Sequence, residues 1–334
     1  MKGMMLVAFG IMWAFIAQAQ GPQWNEITTP VKASLRGLSP VSDKICWASG
    51  SNGTWLKTMD GGLTWEHGVI AGLDTVDFRS IQAFDQNTAV AASAGQPAVI
   101  YRTVDGGRSW SKAHQEEAEA AFFDGISFSN RKNGYVIGDP VEGKWMILET
   151  EDGGKTWQSL TNLPDAEIGE AAFAASASSL IADKTGLIFG TGGPVSNLHF
   201  YRFKDWTWTK VKTPILQGEP SQGIFAIAST EAGLVAVGGD YTKLEDREKH
   251  AFIYNDGSFE YPIAMPLGYR SGLAYWKKKN LTIAVGPSGS DFSTDGGKSW
   301  NDFSPTGYHA VKTSPDQKAI WASGSGGRIG ILIP

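Results

Sequence analysis

The sequence predicts an all-β protein: a seven-bladed β-propeller whose last blade is closed by the N-terminal strand. Three observations predict this fold, namely a short motif that recurs about every 47 residues, seven Ala- and Gly-rich strand segments, and a last repeat that lacks its final strand. Such a period indicates an array of similar sheets, because each repeat buries its apolar face against the next one. The 41 Gly and 13 Trp among 334 residues agree with many short strands around a large core.

The recurring motif is an Asp-box, Ser/Thr-x-Asp-Gly-Gly-x-Ser/Thr-Trp. Its first three copies are 45 and 47 residues apart, the fourth follows 143 residues later, and two degenerate copies at residues 204–208 and 255–259 fill that gap. The aspartate can accept hydrogen bonds from the turn, the glycines permit positive φ, and the tryptophan offers an apolar face to the neighbouring sheet. We therefore expect a structural role for the box residues Asp60, Trp65, Asp105, Trp110, Asp152, Trp157, Asp295 and Trp300.

The number of blades follows from the predicted second strands. Their small residues suit strands near a crowded central axis, where neighbouring blades taper together. Seven such segments occur, at residues 46–50, 89–93, 135–139, 187–191, 234–238, 282–286 and 319–324.

The last repeat ends after residues 328–332, one strand short and without a box. Residues 24–27 (Trp-Asn-Glu-Ile) match the segment that follows each box, for example Trp65-Glu66. We therefore expect the start of the mature chain to supply the outermost strand of blade seven. Closing the ring in this way leaves only short, protected strand edges.

Residues 1–19 have the pattern of a cleaved secretory signal, with Lys2, an apolar run and a small-x-small site that ends at Ala19. The apolar run is too short to cross a membrane comfortably, so we predict no membrane span after cleavage. The mature chain, residues 20–334, is then one propeller domain that is periplasmic or secreted. Its single cysteine, Cys46, excludes an intrachain disulfide and is expected to be a small core residue.

Composition and spacing disfavour several functions. A net charge of -5 and a pI near 5.6 give no basic field for nucleic acid. Each box has one carboxylate without a downstream glutamate, and the five histidines lack metal spacing, so we predict no metal. No dinucleotide fingerprint precedes a helix, and no cofactor is expected. We expect a monomer.

Four good boxes over residues 20–334 make the chain resemble the BNR/Asp-box repeat proteins, and within them the exported seven-bladed group related to the photosystem II assembly factor Ycf48/HCF136. This resemblance implies a non-catalytic scaffold that holds another protein during assembly. Sialidases and sortilin-type receptors carry the same box. The sialidase resemblance would imply an arginine triad, a Tyr/Glu nucleophile pair and an Asp acid, but the chain lacks their usual Arg-Ile-Pro start.

Polar residues recur where the chain enters each innermost strand, and they are predicted to ring one mouth of the central channel, opposite the boxes. Aligning the repeats puts seven residues there, Arg36, Arg79, Asp124, Glu170, Gln222, Arg270 and His309. Asp139 and Asp240, at the ends of second strands, are expected on the same face. So is a charged insert at residues 241–250, which is either a solvated loop or a docking element.

Two functions remain open for this ring. The arginines can bind a carboxylate of a protein or glycan partner, which favours a non-enzymatic scaffold. Alternatively, Asp124 and Glu170 form a carboxylate pair in a glycoside hydrolase, or the charges simply pair with one another. An enzyme predicts Asp124 and Glu170 unpaired in an open mouth, with one pKa raised, whereas a scaffold predicts a paired or filled mouth.

Overall fold

Seven antiparallel sheets of four strands follow one another along the chain and form the blades of a propeller. The computed structural model describes residues 21–333, so the predicted signal peptide of residues 1–19 lies outside the described residues. The predicted seven-bladed, all-β fold is confirmed. Among the described residues the helices are two 3₁₀ turns, Lys277–Lys279 and Ser325–Gly327, and no helix is long and apolar enough to span a membrane.

Each blade is an up-and-down meander from the channel outwards. Up to blade three, the strands are β1 (Asn25–Ile27), β2 (Leu35–Pro40), β3 (Cys46–Gly50), β4 (Thr54–Thr58), β5 (Glu66–Val69), β6 (Ser80–Ala83), β7 (Ala89–Ala92), β8 (Val99–Thr103), β9 (Ser111–Gln115), β10 (Phe123–Phe128), β11 (Gly134–Val141), β12 (Lys144–Thr150) and β13 (Gln158–Ser159). The remaining strands are β14 (Leu180–Ala182), β15 (Gly186–Gly190), β16 (Asn197–Arg202), β17 (Thr207–Lys212), β18 (Gln222–Thr230), β19 (Gly233–Asp240), β20 (Ala251–Asn255), β21 (Ser258–Glu260), β22 (Gly272–Trp276), β23 (Leu281–Gly286), β24 (Gly289–Ser293), β25 (Asn301–Ser304), β26 (Ala310–Thr313), β27 (Ile320–Ser323) and β28 (Ile329–Leu332).

The two ends of the chain meet in blade seven, as the unfinished last repeat predicts. Strand β1 pairs antiparallel with β28, with Asn25 opposite Ile331 and Ile27 opposite Ile329. Trp24 secures this junction, because its ring lies 5.2 Å from that of Tyr308 and its Nε1 donates to Ser290 Oγ at 3.0 Å. The N-terminal strand therefore ties the last blade to the sixth.

The Asp-boxes lock the turns between third and fourth strands. In the second box, Ser109 donates to Asp105 through Oγ at 2.6 Å and through N at 3.0 Å, while Thr103 Oγ1 donates at 2.9 Å. These bonds, led by that of Ser109 Oγ, lower the pKa of Asp105 to about 2. Gly107 has φ +92°, and a Cβ there would lie 2.5 Å from the Trp55 ring of blade one, so the turn also packs against the neighbouring blade.

Candidate functional site

In each blade, one residue directly precedes the residue at which the regular pairing of the innermost strand with the second strand begins. The register defines the equivalence: Gly37 pairs with Ser49, Ser80 with Ala92, and the other blades follow the same pattern. The residues that precede these pairs form the structural ring, Arg36, Arg79, Asp124, Ser179, Phe225, Ser271 and His309.

In three blades, a β-bulge directs the ring residue into the channel. The pairing shifts register between Leu35 and Gly37, so that Arg36 is the extra residue of β2. The same shift leaves Asp124 as the extra residue of β10 and Phe225 as that of β18. Because a bulged residue is freed from the regular alternation of the strand, its side chain can be aimed at a site instead of the blade interior.

These side chains open into a cavity of about 560 Å³ at the channel mouth, which we call the mouth cavity. Five residues that the sequence predicts for the mouth line it, Arg36, Arg79, Asp124, Asp139 and His309. Sequence alignment missed most of its aromatic and aliphatic wall, formed by Phe122, Phe173, Phe225, Tyr241, Leu244 and Tyr269. Tyr241 and Leu244 belong to the charged insert, which therefore contributes to the site.

The floor of the mouth cavity is formed by residues 171–175, which belong to a segment, residues 171–179, that we call the channel plug. From blade four this segment reaches across the axis: Arg36 Nη1 of blade one donates to Ala175 O at 3.2 Å, and Ser176 Oγ donates to Ser271 O of blade six at 2.6 Å. Ser178 lines a separate cavity on the far side. A ligand of the mouth cavity must therefore arrive from the mouth side of the channel.

The positive side of the mouth cavity consists of Arg36 and Arg79. Arg79 Nε donates to Asp77 Oδ2 at 2.7 Å, which compensates its charge. Among the described residues, Arg36 has no carboxylate within ion-pair distance, and its recorded bond is the one to Ala175 O. Burial, and next the charge of Arg79, lower the pKa of Arg36, but a guanidinium stays protonated at neutral pH. Arg36 is therefore a cation that Asp77 attracts only from a distance and that has no ion-pair partner among the described residues.

The negative side consists of Asp124 and Asp139. Asp124 is 1% exposed, and neither of its carboxylate oxygens has a hydrogen-bond partner among the described residues. Burial, and next the charge of Asp139, raise the pKa of Asp124, while Arg79 opposes the shift. Asp139 accepts a hydrogen bond from Ala172 N at 3.0 Å, and burial raises its pKa too. Of these two aspartates, Asp124 is the one whose carboxylate oxygens both lack a hydrogen-bond partner among the described residues.

His309 contributes a neutral wall. Its Nε2 lies 2.8 Å from Ser325 Oγ and 3.1 Å from Ser34 Oγ. Burial, followed by the charges of Arg36 and Arg79, lowers the pKa of His309 to about 3. The imidazole is therefore uncharged at neutral pH, and an anion in the cavity would depend on Arg36 instead.

Glu170 does not belong to the ring, and the expected pair of Asp124 and Glu170 is not formed in the cavity. Nine residues separate Glu170 from β14, whose register places Ser179 in the ring. Glu170 instead accepts hydrogen bonds from Thr191 Oγ1 at 2.6 Å and Asn197 Nδ2 at 2.9 Å, and its Oε1 lies 2.8 Å from His199 Nε2. Burial opposes ionisation, but these partners, led by His199, lower the pKa of Glu170 to about 2.

Three further predicted residues point elsewhere. Arg270 precedes the ring position of Ser271 and is buried in an ion pair with Asp291. Asp240 accepts from Thr242 N at 2.9 Å and Thr242 Oγ1 at 2.6 Å, so it fixes the start of the insert. Gln222, also aligned with the ring, donates to Asp240 at 3.2 Å, three residues before the ring position of Phe225. The alignment failed for Gln222 and Arg270 because each follows a blade, the fourth and the fifth, that has no complete box.

The mouth cavity can bind positively and negatively charged groups beside aromatic rings. Among residues 21–333, no three His, Cys, Asp or Glu side chains are grouped so that they could hold a metal ion. Glycoside hydrolysis needs two carboxyl groups that flank one bond, one as an acid and one ionised. With Glu170 engaged elsewhere, Asp124 and Asp139 are the carboxyl groups that line this cavity.

Comparisons with known proteins give the family context. A sequence model described as "Photosynthesis system II assembly factor YCF48" matches residues 16–118 and 112–258. The structure of "YCF48 bound to D1 peptide" is similar at 18% identity, with a TM-score of 0.64 over 95% of this chain and 97% of that chain. YCF48 from Cyanidioschyzon merolae has 20% identity and a TM-score of 0.58 over 93% and 99%.

Structural similarity at such low sequence identity shows the fold and not the function. The structure of U3-55K reaches a TM-score of 0.65 at only 11% identity, over 94% of this chain and 100% of that chain. A structure with only 11% identity therefore aligns as well as the two YCF48 structures, so structural similarity alone identifies no partner. No curated protein sequence matched the chain.

Proposed function

Because the chain belongs to the YCF48 family of photosystem II assembly factors, we propose that it is a non-enzymatic scaffold, which holds a segment of another protein in its mouth cavity during assembly. The observation that carries this proposal is Arg36, a half-buried guanidinium without a carboxylate partner among the described residues, which lines the cavity beside the channel plug. Such a group favours an incoming carboxylate, which it can bind through two parallel hydrogen bonds.

The size of the cavity supports a short segment as the ligand. A volume of about 560 Å³ lies in the range of small-ligand pockets, so it can enclose a few side chains and not a folded domain. The cavity is blind, because the channel plug forms its floor. A segment would therefore insert from one side. A similar structure is described as YCF48 bound to D1 peptide, which supports a peptide segment as the ligand.

The surroundings of the cavity support a protein as the partner. Ile168, in the loop that leads to the channel plug, is 98% exposed, and Tyr241 at the start of the insert is 49% exposed. Exposed apolar side chains beside a polar cavity are typical of protein-binding surfaces. Together, the cavity and these two residues would form a docking face on the side opposite the Asp-boxes.

The proposal includes export, because residues 1–19 have the features of a cleaved signal. The scaffold would then act on periplasmic or secreted proteins, or on exported segments of membrane proteins. Mass spectrometry of the protein purified from its native host checks this part: a mature N-terminus at Gln20 is expected, and an intact Met1 in the purified protein would contradict export with cleavage.

Selection from a random peptide library tests the binding role. Peptides enriched on the wild-type protein should contain an acidic residue or a free carboxyl terminus, and Arg36→Ala should weaken their binding by about tenfold to a hundredfold. Arg108→Ala is the matched control, since Arg108 is exposed in the second Asp-box and donates only to Asp105 O. Enrichment that is unaffected by Arg36→Ala, or no enrichment at all, would refute the proposed mouth function.

A further inference from the structure

The mouth cavity contains a buried acceptor that makes no regular hydrogen bond among the described residues. Asp124 is 1% exposed, lines the cavity and has no hydrogen-bond partner for either carboxylate oxygen among residues 21–333. Buried carboxylates of this chain elsewhere have partners: Glu170 has several, and Asp291 is paired with Arg270. A buried polar group without a partner is destabilising, so Asp124 calls for an explanation.

The neighbours of Asp124 supply no regular hydrogen bond. The backbone N–H of Ala174 is close enough to oppose the rise in the pKa of Asp124, but it does not meet hydrogen-bond geometry with either carboxylate oxygen. Arg79, the cationic side chain that attracts Asp124, directs its Nε to Asp77 at 2.7 Å. Asp139 adds a second negative charge close by and is itself anchored by Ala172 N. The bulge in β10 meanwhile turns Asp124 out of the regular strand alternation towards the cavity. The unsatisfied acceptor is therefore directed at the place where a ligand would sit.

The two sides of the cavity are opposite in charge. Arg36 has no ion-pair partner among the described residues, and neither do Asp124 and Asp139 on the acidic side, where Arg79 attracts Asp124 without forming an ion pair with it. We infer that the bound segment carries a cationic nitrogen donor for Asp124 as well as a carboxylate for Arg36. This inference rests on the proposed function, and it adds that the ligand is recognised as a pair of opposite charges, not as an acidic segment alone.

The aromatic wall suits an ammonium group as the cationic donor. Five aromatic rings line the same cavity as Asp124, among them those of Phe122, Phe173 and Tyr241, and a cation beside aromatic faces gains further stabilisation. The aliphatic stem of a lysine can pack on these rings while its three donors reach a carboxylate. The free amino terminus of a partner chain offers the same donor group, so both sources share one chemistry.

Defined synthetic peptides can test the inference directly. The probes are Gly/Ser peptides, acetylated and amidated at their ends, that carry one aspartate and one lysine at increasing separations. Matched probes replace the lysine with norleucine or the aspartate with asparagine, and a third set replaces the lysine with a free amino terminus. Affinities are measured by fluorescence anisotropy on wild-type protein, on Asp124→Asn, and on Asp302→Asn, an exposed aspartate in β25 that serves as the control.

At one separation or more, we expect the Asp/Lys or the free-terminus peptide to bind wild type about tenfold to a hundredfold more tightly than its norleucine or acetylated match. Which of the two sets binds identifies the source of the ammonium. Asp124→Asn should abolish most of that advantage, whereas Asp302→Asn should retain it, because only Asp124 faces the ligand. The double substitution of protein and peptide should lose little more than either single change.

Equal binding of the lysine and norleucine peptides at every separation, with no advantage for the free-terminus set, would overturn the inference. So would a lysine advantage that persists in Asp124→Asn. The proposed function fails in a different way. If library peptides bind the mouth and lose affinity in Arg36→Ala but not in Asp124→Asn, the scaffold role stands and only the paired-charge recognition falls.

Discussion

Removing the charge of Asp124 should stabilise the free protein. Asp124→Asn keeps the shape of the side chain but replaces a buried carboxylate, 1% exposed and without hydrogen bonds, by a neutral amide. A buried polar group left unsatisfied costs about 1–3 kcal/mol, and a charged one tends towards the upper part of that range. The attraction of Arg79 offsets part of this penalty, and the repulsion of Asp139 adds to it. We therefore expect a gain of about 1–3 kcal/mol in unfolding free energy near pH 7.

The pH dependence gives the sign of the effect. Burial raises the pKa of Asp124 above its ordinary value of 3.8, so the unfolded chain releases this proton at lower pH than the folded one. Wild type therefore loses stability as the pH rises from about 3.8 through the raised folded pKa, and the loss is constant above it. Asp124→Asn does not lose stability in this way. The difference in unfolding free energy between Asp124→Asn and wild type should therefore vanish in acid and grow towards neutral pH.

Urea titrations across this pH range, followed by tryptophan fluorescence, measure the effect. Asp302→Asn is the control, because the exposed Asp302 should change stability by less than about 0.5 kcal/mol at every pH. The reasoning is refuted if Asp124→Asn is no more stable than wild type near neutral pH, or if both proteins lose stability in parallel as the pH rises. Either result would mean that the Asp124 charge is compensated in the folded protein.

Other substitutions test the closure, the boxes and the buried cluster by urea titration. Trp24→Ala should lower the unfolding free energy by about 2–4 kcal/mol through lost contacts at the blade junction, and an unchanged midpoint would contradict the closure. Gly107→Ala should cost about 1–3 kcal/mol, because φ is +92° and the new Cβ meets Trp55; a neutral effect would show that the box turn can relax. Glu170→Gln should be destabilising above about pH 4.5 and nearly neutral towards pH 2, since the hydrogen-bond partners of Glu170, led by His199, outweigh burial and lower its pKa from 4.5 to about 2; a difference that does not depend on pH would contradict the assignment.

The architecture could be predicted from the sequence because it is repeated. Each Asp-box marks one turn, and the box aspartates and glycines have roles that depend only on nearby residues, as the bonds around Asp105 show. The closure could be predicted for a similar reason. Blade seven lacks an outer strand, and residues 24–27 resemble the outer strand that follows every box, which agrees with the pairing of Asn25 and Ile331.

The site could be predicted only where blades keep a similar length before the innermost strand. Arg36, Arg79, Asp124 and His309 were aligned correctly, because in their blades the hydrophobic pattern of the strand begins directly after them. In blade four, residues 171–179 consist mostly of Ala and Ser, and no strand pattern shows that they cross the channel. Glu170 was therefore aligned nine residues too early, and its bonds to Thr191, Asn197 and His199 depend on pairing that only the fold brings about.

The β-bulges are a second reason why the sequence did not predict every residue of the site. A bulge shifts the side chain that faces the channel by one residue, and nothing in the sequence around Phe225 marks the shift between Ile224 and Ala226. The sequence alignment did not predict most of the aromatic wall, because its members come from four different blades and from the insert. The run of Ala and Ser before β14 is the sequence signal that could have indicated the channel plug, since small residues are needed where a segment passes through a crowded channel.

Site-specific photocrosslinking in the native host tests most directly whether the mouth is the protein-binding face. A photoreactive phenylalanine analogue at Tyr241, 49% exposed beside the mouth cavity, is compared with the same analogue at Val104, 59% exposed in the second Asp-box. The proposed scaffold predicts a discrete protein adduct from position 241 that is lost in Arg36→Ala, and no such adduct from position 104. An adduct formed only from the Asp-box face, or one from position 241 that is unaffected by Arg36→Ala, would contradict it.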